Sequence, residues 1–207
     1  MREKSTNKLL LSFIILSSII ITNIIKAQKQ DFPVSLSIIN QSWAFPQKKI
    51  FRMKPFYPGL VFGTEYSYKE GKRGRLFQSA NLGFYVNNIT GSCLFLQSDL
   101  AYRFTLNLGL FTDVSLGLGY VHAFYPREIF RQNKENGYVK VRDTGKPAIM
   151  VSNSFSLGYD FTKRTGLHFA PFIKYQWFAQ YPYFELIPVR PNGILHVGLR
   201  YYWSCNY

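Results

Sequence analysis

Several residue types on which metal proteins and enzymes rely are scarce in this sequence. Its 207 residues include two cysteines and three histidines, with no HxxH or CxxC spacing. We expect no metal site and no cofactor, because metal ligands must converge on one ion. Charged residues make up only 17% of the chain, a low share for a soluble domain. After residue 27, no apolar run is long enough to cross a membrane as a helix.

Acidic residues are also few, since 11 Asp and Glu accompany 25 Lys and Arg, and the net charge is +14. A surplus of this size suits anionic surroundings such as lipopolysaccharide phosphates, acidic polysaccharide or nucleic acid. Nucleic acid is the wrong partner if the chain is exported, and the first residues of the chain point to export.

Residues 1–27 have the pattern of a secretory signal peptide. Arg2, Lys4 and Lys8 form a basic start, residues 9–25 are largely apolar, and Ala27 is small, as a cleavage site requires. We predict cleavage after Ala27, which leaves residues 28–207 as one domain. An uncleaved anchor helix is the alternative. Loss of four basic residues and one acidic residue lowers the net charge from +14 to +11.

Beyond residue 27, apolar and polar residues alternate almost throughout. In LFLQSDLAYRF (residues 94–104) one face is apolar, and the other carries Gln97, Asp99 and Arg103. A soluble sandwich and a transmembrane barrel both produce this alternation. Three features favour the barrel: segments of about 10–15 residues, which can span hydrocarbon at a tilt, aromatic residues at segment ends, and connections that alternate between short and long.

The alternation divides into eight strands, at residues 34–43, 59–68, 75–86, 93–104, 109–124, 149–161, 167–178 and 194–203. An even number places both termini on one side, together with the short connections KEGKRG, TLNLG and TKRTG. Short periplasmic turns and long outer loops are the outer-membrane pattern. We therefore predict an all-β fold: an eight-stranded antiparallel up-and-down barrel in the bacterial outer membrane, with both termini periplasmic. Residues 137–143 could lengthen the strands beside the third outer loop.

This topology places Cys93 and Cys205 at opposite ends of the barrel. An even number of cysteines in an exported chain is compatible with a disulfide. The predicted separation instead indicates that the two are not bonded to each other.

The signal peptide, the eight amphipathic strands and the closing strand LHVGLRYYW together resemble the small outer-membrane β-barrels of Gram-negative bacteria. The resemblance implies that an aromatic-ended last strand serves as the signal read by the barrel-assembly machinery. The chain departs from the pattern because SCNY follows Trp203. The resemblance covers residues 28–207 and implies no activity.

A barrel of eight strands is just wide enough for side chains to fill, so its inward polar groups must satisfy one another. We predict a polar network in the lumen, with Arg103 diagonal to Asp113 and near Asp99, and Asp160 opposite His168. Its titratable members are Glu65, Asp99, Arg103, Asp113, Asp160, His168, Lys174, His196 and Arg200, and Asn81, Gln97 and Gln176 join them. We interpret this network as structural. The alternative is a narrow polar channel, in which water would have to pass Phe95, Phe111, Phe172 and Tyr202.

An enzyme is a second alternative, because Asp160, His168 and either Ser154 or Ser156 lie on neighbouring predicted strands. Nucleophilic catalysis needs a serine within hydrogen-bond reach of its base. The motif of lipid A deacylases resembles His-Phe-Ser-Asn, whereas this chain has His168-Phe169-Ala170-Pro171 and lacks the serine. We expect no catalytic residues, with an acyl-chain-modifying enzyme as the alternative.

The long outer loops interleave basic and aromatic residues. The candidate binding residues are Lys48, Lys49, Arg52, Arg127, Arg131, Lys140 and Arg142. They either neutralise lipopolysaccharide around the rim or recognise a specific ligand or protein. We expect a non-enzymatic outer-membrane barrel that contacts lipid and lipopolysaccharide and is inserted by the barrel-assembly machinery. The partner of its loops is either envelope glycolipid or a larger outer-membrane complex in which the barrel is an accessory subunit. We expect no nucleic-acid partner.

Overall fold

The computed structural model describes residues 32–43, 56–89, 91–124, 129–133, 137–141, 144–183 and 188–203. The predicted signal peptide, Cys205 and five of the loop candidates lie outside these ranges: Lys48, Lys49, Arg52, Arg127 and Arg142. Arg131 and Lys140 are described by their backbone alone.

Eight long antiparallel strands close into a barrel. They are β1 (Phe32–Trp43), β2 (Pro58–Glu70), β3 (Gly74–Tyr85), β4 (Ser92–Thr105), β5 (Leu110–Phe124), β8 (Lys146–Tyr159), β9 (Phe169–Tyr181) and β10 (Arg190–Trp203). Around the barrel, their order is β1-β10-β9-β8-β5-β4-β3-β2. Each barrel strand pairs with the barrel strands that precede and follow it in the sequence, and the last strand, β10, pairs with the first, β1. The predicted all-β, eight-stranded antiparallel barrel is confirmed.

The connection between β5 and β8 holds a separate hairpin, made of β6 (Ile129–Asn133) and β7 (Gly137–Val141). The sequence suggested that residues 137–143 could extend the flanking strands, but β7 pairs with β6 instead. The β5–β8 ladder ends at Ala123 and Lys146. Gly145, just before β8, has a φ of +72°, a left-handed conformation that interrupts the extended chain.

A short helix, α1 (Thr162–Thr165), fills the connection between β8 and β9 and ends at Gly166, which also has positive φ. This turn is therefore longer than the sequence predicted, and β9 begins at Phe169. No helix among the described residues is long and apolar enough to cross a membrane.

The last strand, β10, pairs with the first strand, β1, along the whole length of β1. β10 pairs with β1 from Trp203 opposite Phe32 to Asn192 opposite Trp43. Both strands thus have a partner on each side, and the barrel has no open edge. Closure matters because an unpaired backbone N–H or C=O has no water to bond to in hydrocarbon.

The barrel is apolar outside and polar inside. Among the described residues, 20 buried side chains are polar or charged and 15 are hydrophobic. The outer face is lined by exposed Val, Leu, Ile and aromatic residues: Val34, Leu36, Ile38, Leu60, Phe62, Leu96, Leu100, Leu116, Leu118, Val151, Val197 and Leu199 are examples. Tyr66, Tyr68, Tyr102, Tyr201 and Trp203 are exposed near the end that carries the first and last described residues. This inversion is the arrangement that a lipid solvent requires.

We expect Val197→Arg to destabilise the barrel inserted in lipid vesicles by about 2–4 kcal/mol, because Val197 is 53% exposed near the middle of β10 and would place a charge in hydrocarbon. Urea unfolding followed by tryptophan fluorescence measures this. Leu108→Arg is the control, since Leu108 is 69% exposed in the turn between β4 and β5. Equal effects of the two substitutions would argue against a lipid-facing wall.

Candidate functional site in the barrel lumen

The lumen is filled by four successive layers of side chains. We call the end of the barrel that holds Phe32 and Trp203 the terminal end, and the opposite end the loop end. From the terminal end, the layers are an ionic cluster, a hydrogen-bonded layer around Asp99, an apolar plug and a polar mouth. Alternation along each strand sends every second side chain inward, so each strand contributes to several layers.

The ionic cluster joins two carboxylates to three arginines. Arg103 Nε lies 2.7 Å from Asp113 Oδ1 and Arg103 Nη2 lies 2.9 Å from Asp113 Oδ2, a bidentate pair. Arg103 Nη2 also donates to Glu65 Oε1 at 3.3 Å. Arg200 Nε lies 2.7 Å from Glu65 Oε1, and Arg200 Nη2 lies 3.4 Å from Asp113 Oδ2. Arg75 Nη1 is 3.7 Å from Glu65 Oε2.

Aromatic rings also lie against the guanidinium groups of Arg103 and Arg200. The Cζ of Arg103 lies 4.8 Å from the ring centre of Phe77 and 4.6 Å from that of Phe111. The Cζ of Arg200 lies 5.3 Å from the Phe111 ring centre and 5.2 Å from that of Phe172. Stacking on ring faces favours a desolvated guanidinium, and Arg suits such sites because its planar charge is weakly hydrated.

Arg103 and Asp113 are directly opposite each other in the β4–β5 register, rather than diagonal as the sequence predicted. Asp99 is not part of this cluster. It lies four residues nearer the loop end on the same strand and has its own partners. The difference follows from the position of the β4–β5 turn, because β4 ends at Thr105 and β5 begins at Leu110, each one residue later than predicted.

Asp160 and His168 do not join the lumen network, and their predicted pairing is wrong. Asp160 is half-buried at the end of β8, where its Oδ1 accepts a hydrogen bond from the Thr162 backbone N–H at 2.9 Å. His168 is exposed before β9 begins. The cause is α1, which occupies the residues that the prediction had placed in a tight hairpin turn.

Asp99 is 1% exposed and accepts four side-chain hydrogen bonds. Gln97 Nε2 donates at 2.7 Å, Asn81 Nδ2 at 3.0 Å, Ser152 Oγ at 3.2 Å and Ser79 Oγ at 3.3 Å. Donors of this number satisfy a buried carboxylate without a direct ion pair.

A chain of hydrogen bonds leads across the lumen to Asp99. Gln176 Nε2 donates to Gln97 Oε1 at 2.7 Å, and His196 Nε2 lies 3.0 Å from Gln176 Oε1. Because an amide oxygen only accepts, His196 carries its proton on Nε2, and its Nδ1 accepts from Ser37 Oγ at 3.3 Å. All donors in this chain point toward the carboxylate of Asp99.

A polar cavity of about 40 Å³ separates the ionic cluster from this layer. It is large enough for a few water molecules. Its lining combines the Lys174 ammonium with carboxylates and serines, among them Glu65, Asp99, Asp113, Ser115, Ser154 and Ser156. Lys174 therefore lies between the ionic cluster and the Asp99 layer, within the lumen, as its position on β9 indicated.

An apolar plug closes the lumen above the Asp99 layer. It consists of buried side chains from all eight barrel strands: Ile39, Val61, Tyr85, Cys93, Phe95, Val121, Ala148, Met150, Phe178 and Ile194. Gly83 admits the Phe95 ring, because a Cβ at residue 83 would collide with it. Cys93 is a free thiol in this plug. Sequence reasoning placed Phe95 inward but did not recognise the plug, which becomes visible only when the inward residues of the loop-end half are set side by side.

The polar mouth lies beyond the plug, at the loop end. Asn87 Nδ2 donates to Gln41 Oε1 at 2.6 Å, and Gln41 Nε2 donates to Asn192 Oδ1 at 3.0 Å. Arg190 is 1% exposed, with its Cζ 4.9 Å from the ring centre of Tyr183. This layer was not predicted from the sequence, although Gln41 and Asn192 alternate with the apolar residues of their strands.

The geometry does not assemble the catalytic arrangement considered as an alternative. Ser154 Oγ lies 2.6 Å from Ser115 Oγ, inside the barrel, whereas His168 is exposed. The buried pair of Ser37 and His196 has Gln176, not a carboxylate, on the second ring nitrogen. No group of three His, Cys, Asp or Glu side chains in the described ranges could hold a metal ion.

Comparison with known proteins connects this geometry to one structural class. No family model matches the chain, and no curated protein matches its sequence. Neisserial surface protein A (NspA) superposes with a TM-score of 0.54 and 10% identity, covering 84% of this chain and 96% of that one. Ail, the attachment invasion locus protein of Yersinia pestis, has a TM-score of 0.50 and 11% identity, covering 85% and 100%. The outer membrane enzyme PagL has a TM-score of 0.46 and 9% identity, covering 82% and 98%.

These similarities concern the fold. The protein has the closed eight-stranded antiparallel fold of the small outer-membrane β-barrels, as its resemblance to that family predicted. At 10% and 11% identity, the likeness to NspA and Ail shows the fold alone. Function therefore has to be argued from this chain's own residues.

We expect Arg103→Met to destabilise the inserted barrel by about 3–5 kcal/mol, because Asp113 would lose its bidentate partner and Glu65 one of its arginine contacts in a buried site. The double variant Arg103→Met/Asp113→Leu should recover part of that loss, since it removes the carboxylate whose remaining arginine contact, with Arg200, is 3.4 Å long. Urea unfolding from vesicles measures both. Arg73→Met, in an exposed turn, is the control and should change stability by less than about 0.5 kcal/mol. A loss no larger for Arg103→Met than for this control would show that the cluster is not structural.

Proposed function

We propose that this protein is a non-enzymatic outer-membrane barrel that acts through its loop end, as a structural or binding protein. Its termini face the periplasm, and its long, basic and aromatic loops face outward. The partner is anionic lipopolysaccharide around the rim of the barrel. The same loop surface would also hold the protein as a subunit in a larger outer-membrane complex.

The membrane location is supported by the exposed apolar wall and by the aromatic residues at its margin. Tyr201 and Trp203, for example, are 49% and 61% exposed at the terminal end, and their rings lie 6.1 Å apart. Amphipathic rings of this kind favour the interface between hydrocarbon and water. The predicted signal peptide would deliver the chain to the periplasm, and the barrel-assembly machinery would insert it.

The apolar plug is the observation that carries the proposal. Phe95 and Phe178 are 2% and 4% exposed in the loop-end half of the lumen, and Tyr85 and Met150 are fully buried there. An ion crossing this layer would lose its water, and the only polar side-chain groups of the plug are the Tyr85 hydroxyl and the Cys93 thiol. The narrow-channel alternative is therefore not supported, and the outer wall and the loop end remain as working surfaces.

The positive charge of the loops supports an anionic partner. Arg131 lies in β6 and Lys140 in β7, so the hairpin of the third loop brings two of the candidate residues onto paired strands. Phosphate groups are recognised by Arg and Lys through charge-assisted hydrogen bonds. The described part of the lumen offers no nucleophile, base and acid in one place, which favours binding over acyl-chain chemistry.

We expect the purified protein to give no steady conductance in planar lipid bilayers, because the plug excludes water. The measurement needs proof of insertion, such as protection of the barrel from protease in the same membrane. Regular current steps that vanish when the lumen is blocked would establish the channel alternative instead.

We expect Arg131→Gln/Lys140→Gln to weaken binding to vesicles that contain lipopolysaccharide by roughly thirtyfold, since each of the two basic residues near an anionic surface contributes about 1 kcal/mol. The matched control is Lys72→Gln/Arg73→Gln, which removes two exposed basic residues from the turn at the terminal end. Co-sedimentation of detergent-solubilised protein with the vesicles measures both. Equal losses would contradict recognition through the loop end.

A further inference from the structure

Asn153 is a polar side chain on the part of the barrel wall where polar groups are least stable. It is exposed on the outer face of β8, seven residues from Lys146 and six from Tyr159, the ends of the strand. For a strand tilted by about 45°, each distance corresponds to roughly 15 Å of depth. Because the hydrocarbon layer is about 30 Å thick, the Asn153 amide lies near its middle.

The outward side chains beside Asn153 are aliphatic or aromatic, and none of them is hydrogen-bonded to its amide. Leu116 is opposite Asn153 on β5 and is 68% exposed, and Trp177 is opposite on β9 and is 37% exposed. Leu118 and Val151, on the same outer face, are 64% and 56% exposed. Within the described part of the chain, no hydrogen bond joins the Asn153 side chain to another residue.

Several other outward polar side chains have partners on the barrel itself. Gln78 bonds to Tyr68 and Ser98, Thr112 donates to the Ser156 carbonyl at 3.1 Å, and Asn40 accepts from the Tyr57 backbone N–H at 2.8 Å. Asn153 thus differs from them in that its amide has two donors and an acceptor facing lipid. A short side chain at this depth cannot reach the membrane surface.

We propose that Asn153 marks the centre of a contact between two copies of this chain, made by the outer faces of β5, β8 and β9. This inference rests on the proposed membrane location. An amide is both donor and acceptor, so two copies related by a twofold axis satisfy each other's Asn153, which no lipid tail can do. The protruding Leu116, Leu118 and Val151 surround the amides and exclude lipid from them, as apolar contacts surround a polar centre in other interfaces.

The first test is disulfide trapping in membranes. In a background with Cys205→Ser, Asn153→Cys should form a disulfide-linked species of twice the monomer mass when the inserted protein is oxidised, because the twofold axis brings the two copies of residue 153 together. Phe62→Cys is the matched control, since Phe62 is 56% exposed on β2, on the opposite wall. Cross-linking to a different protein, or equally from both positions, would overturn the assignment of a second copy.

The second test is the monomer–dimer equilibrium in detergent micelles, measured by sedimentation equilibrium. Asn153→Leu should raise the dimer dissociation constant about tenfold, and Asn153→Gln should stay closer to the original chain, because it keeps the amide. Asn153→Leu should leave folding intact, since it adds apolar surface to the lipid face. A dissociation constant unchanged by Asn153→Leu, or a protein that is monomeric with Asn153 present, would overturn the inference.

Protease protection of the barrel in vesicles separates the two proposals. A protected barrel that is monomeric contradicts only the contact through Asn153. A chain that never inserts contradicts the membrane location and, with it, the contact.

Discussion

The hydrogen-bonded ion pair between Arg103 and Asp113, shared with Glu65 and Arg200, is the interaction on which the interior of this barrel depends. An outer wall made of Val, Leu, Ile and aromatic residues forces the remaining side chains of each strand inward. Those side chains include charges, which are strongly unfavourable in a closed space unless each has a partner. The cluster supplies partners at the terminal end, and the four donors to Asp99 supply them in the next layer.

The layers of the lumen connect this electrostatic constraint to function. Hydrogen bonds across the barrel link the polar layers, and the apolar plug lies between the Asp99 layer and the mouth. Among the described residues, these layers leave a cavity of about 40 Å³ between the ionic cluster and the Asp99 layer. Outside the lumen, the chain presents the loop end, with its basic residues, and the lipid-facing wall, where Asn153 breaks the apolar pattern.

Alternation along the strands was enough to predict the barrel, because lipid imposes one rule on every outward residue. The eight strands lie within a few residues of their predicted positions, and Arg103, Asp113, Glu65, Asp99, Lys174 and Arg200 all face the lumen. One prediction failed where a turn was judged by its length alone, because the helix α1 displaced Asp160 and His168 from the lumen. For residues 137–141 the sequence left an extension of the flanking strands open, and the structure has the β6–β7 hairpin there.

The sequence by itself determined which face of each strand meets lipid and which residues are available to fill the interior, because a period of two is a local property of the chain. The tertiary structure alone decided which charge pairs with which. Glu65 on β2, Arg103 on β4 and Arg200 on β10 are far apart along the chain and meet only because the barrel closes and its strands tilt. The same closure stacks ten separate apolar side chains into a plug, a feature that no single strand contains.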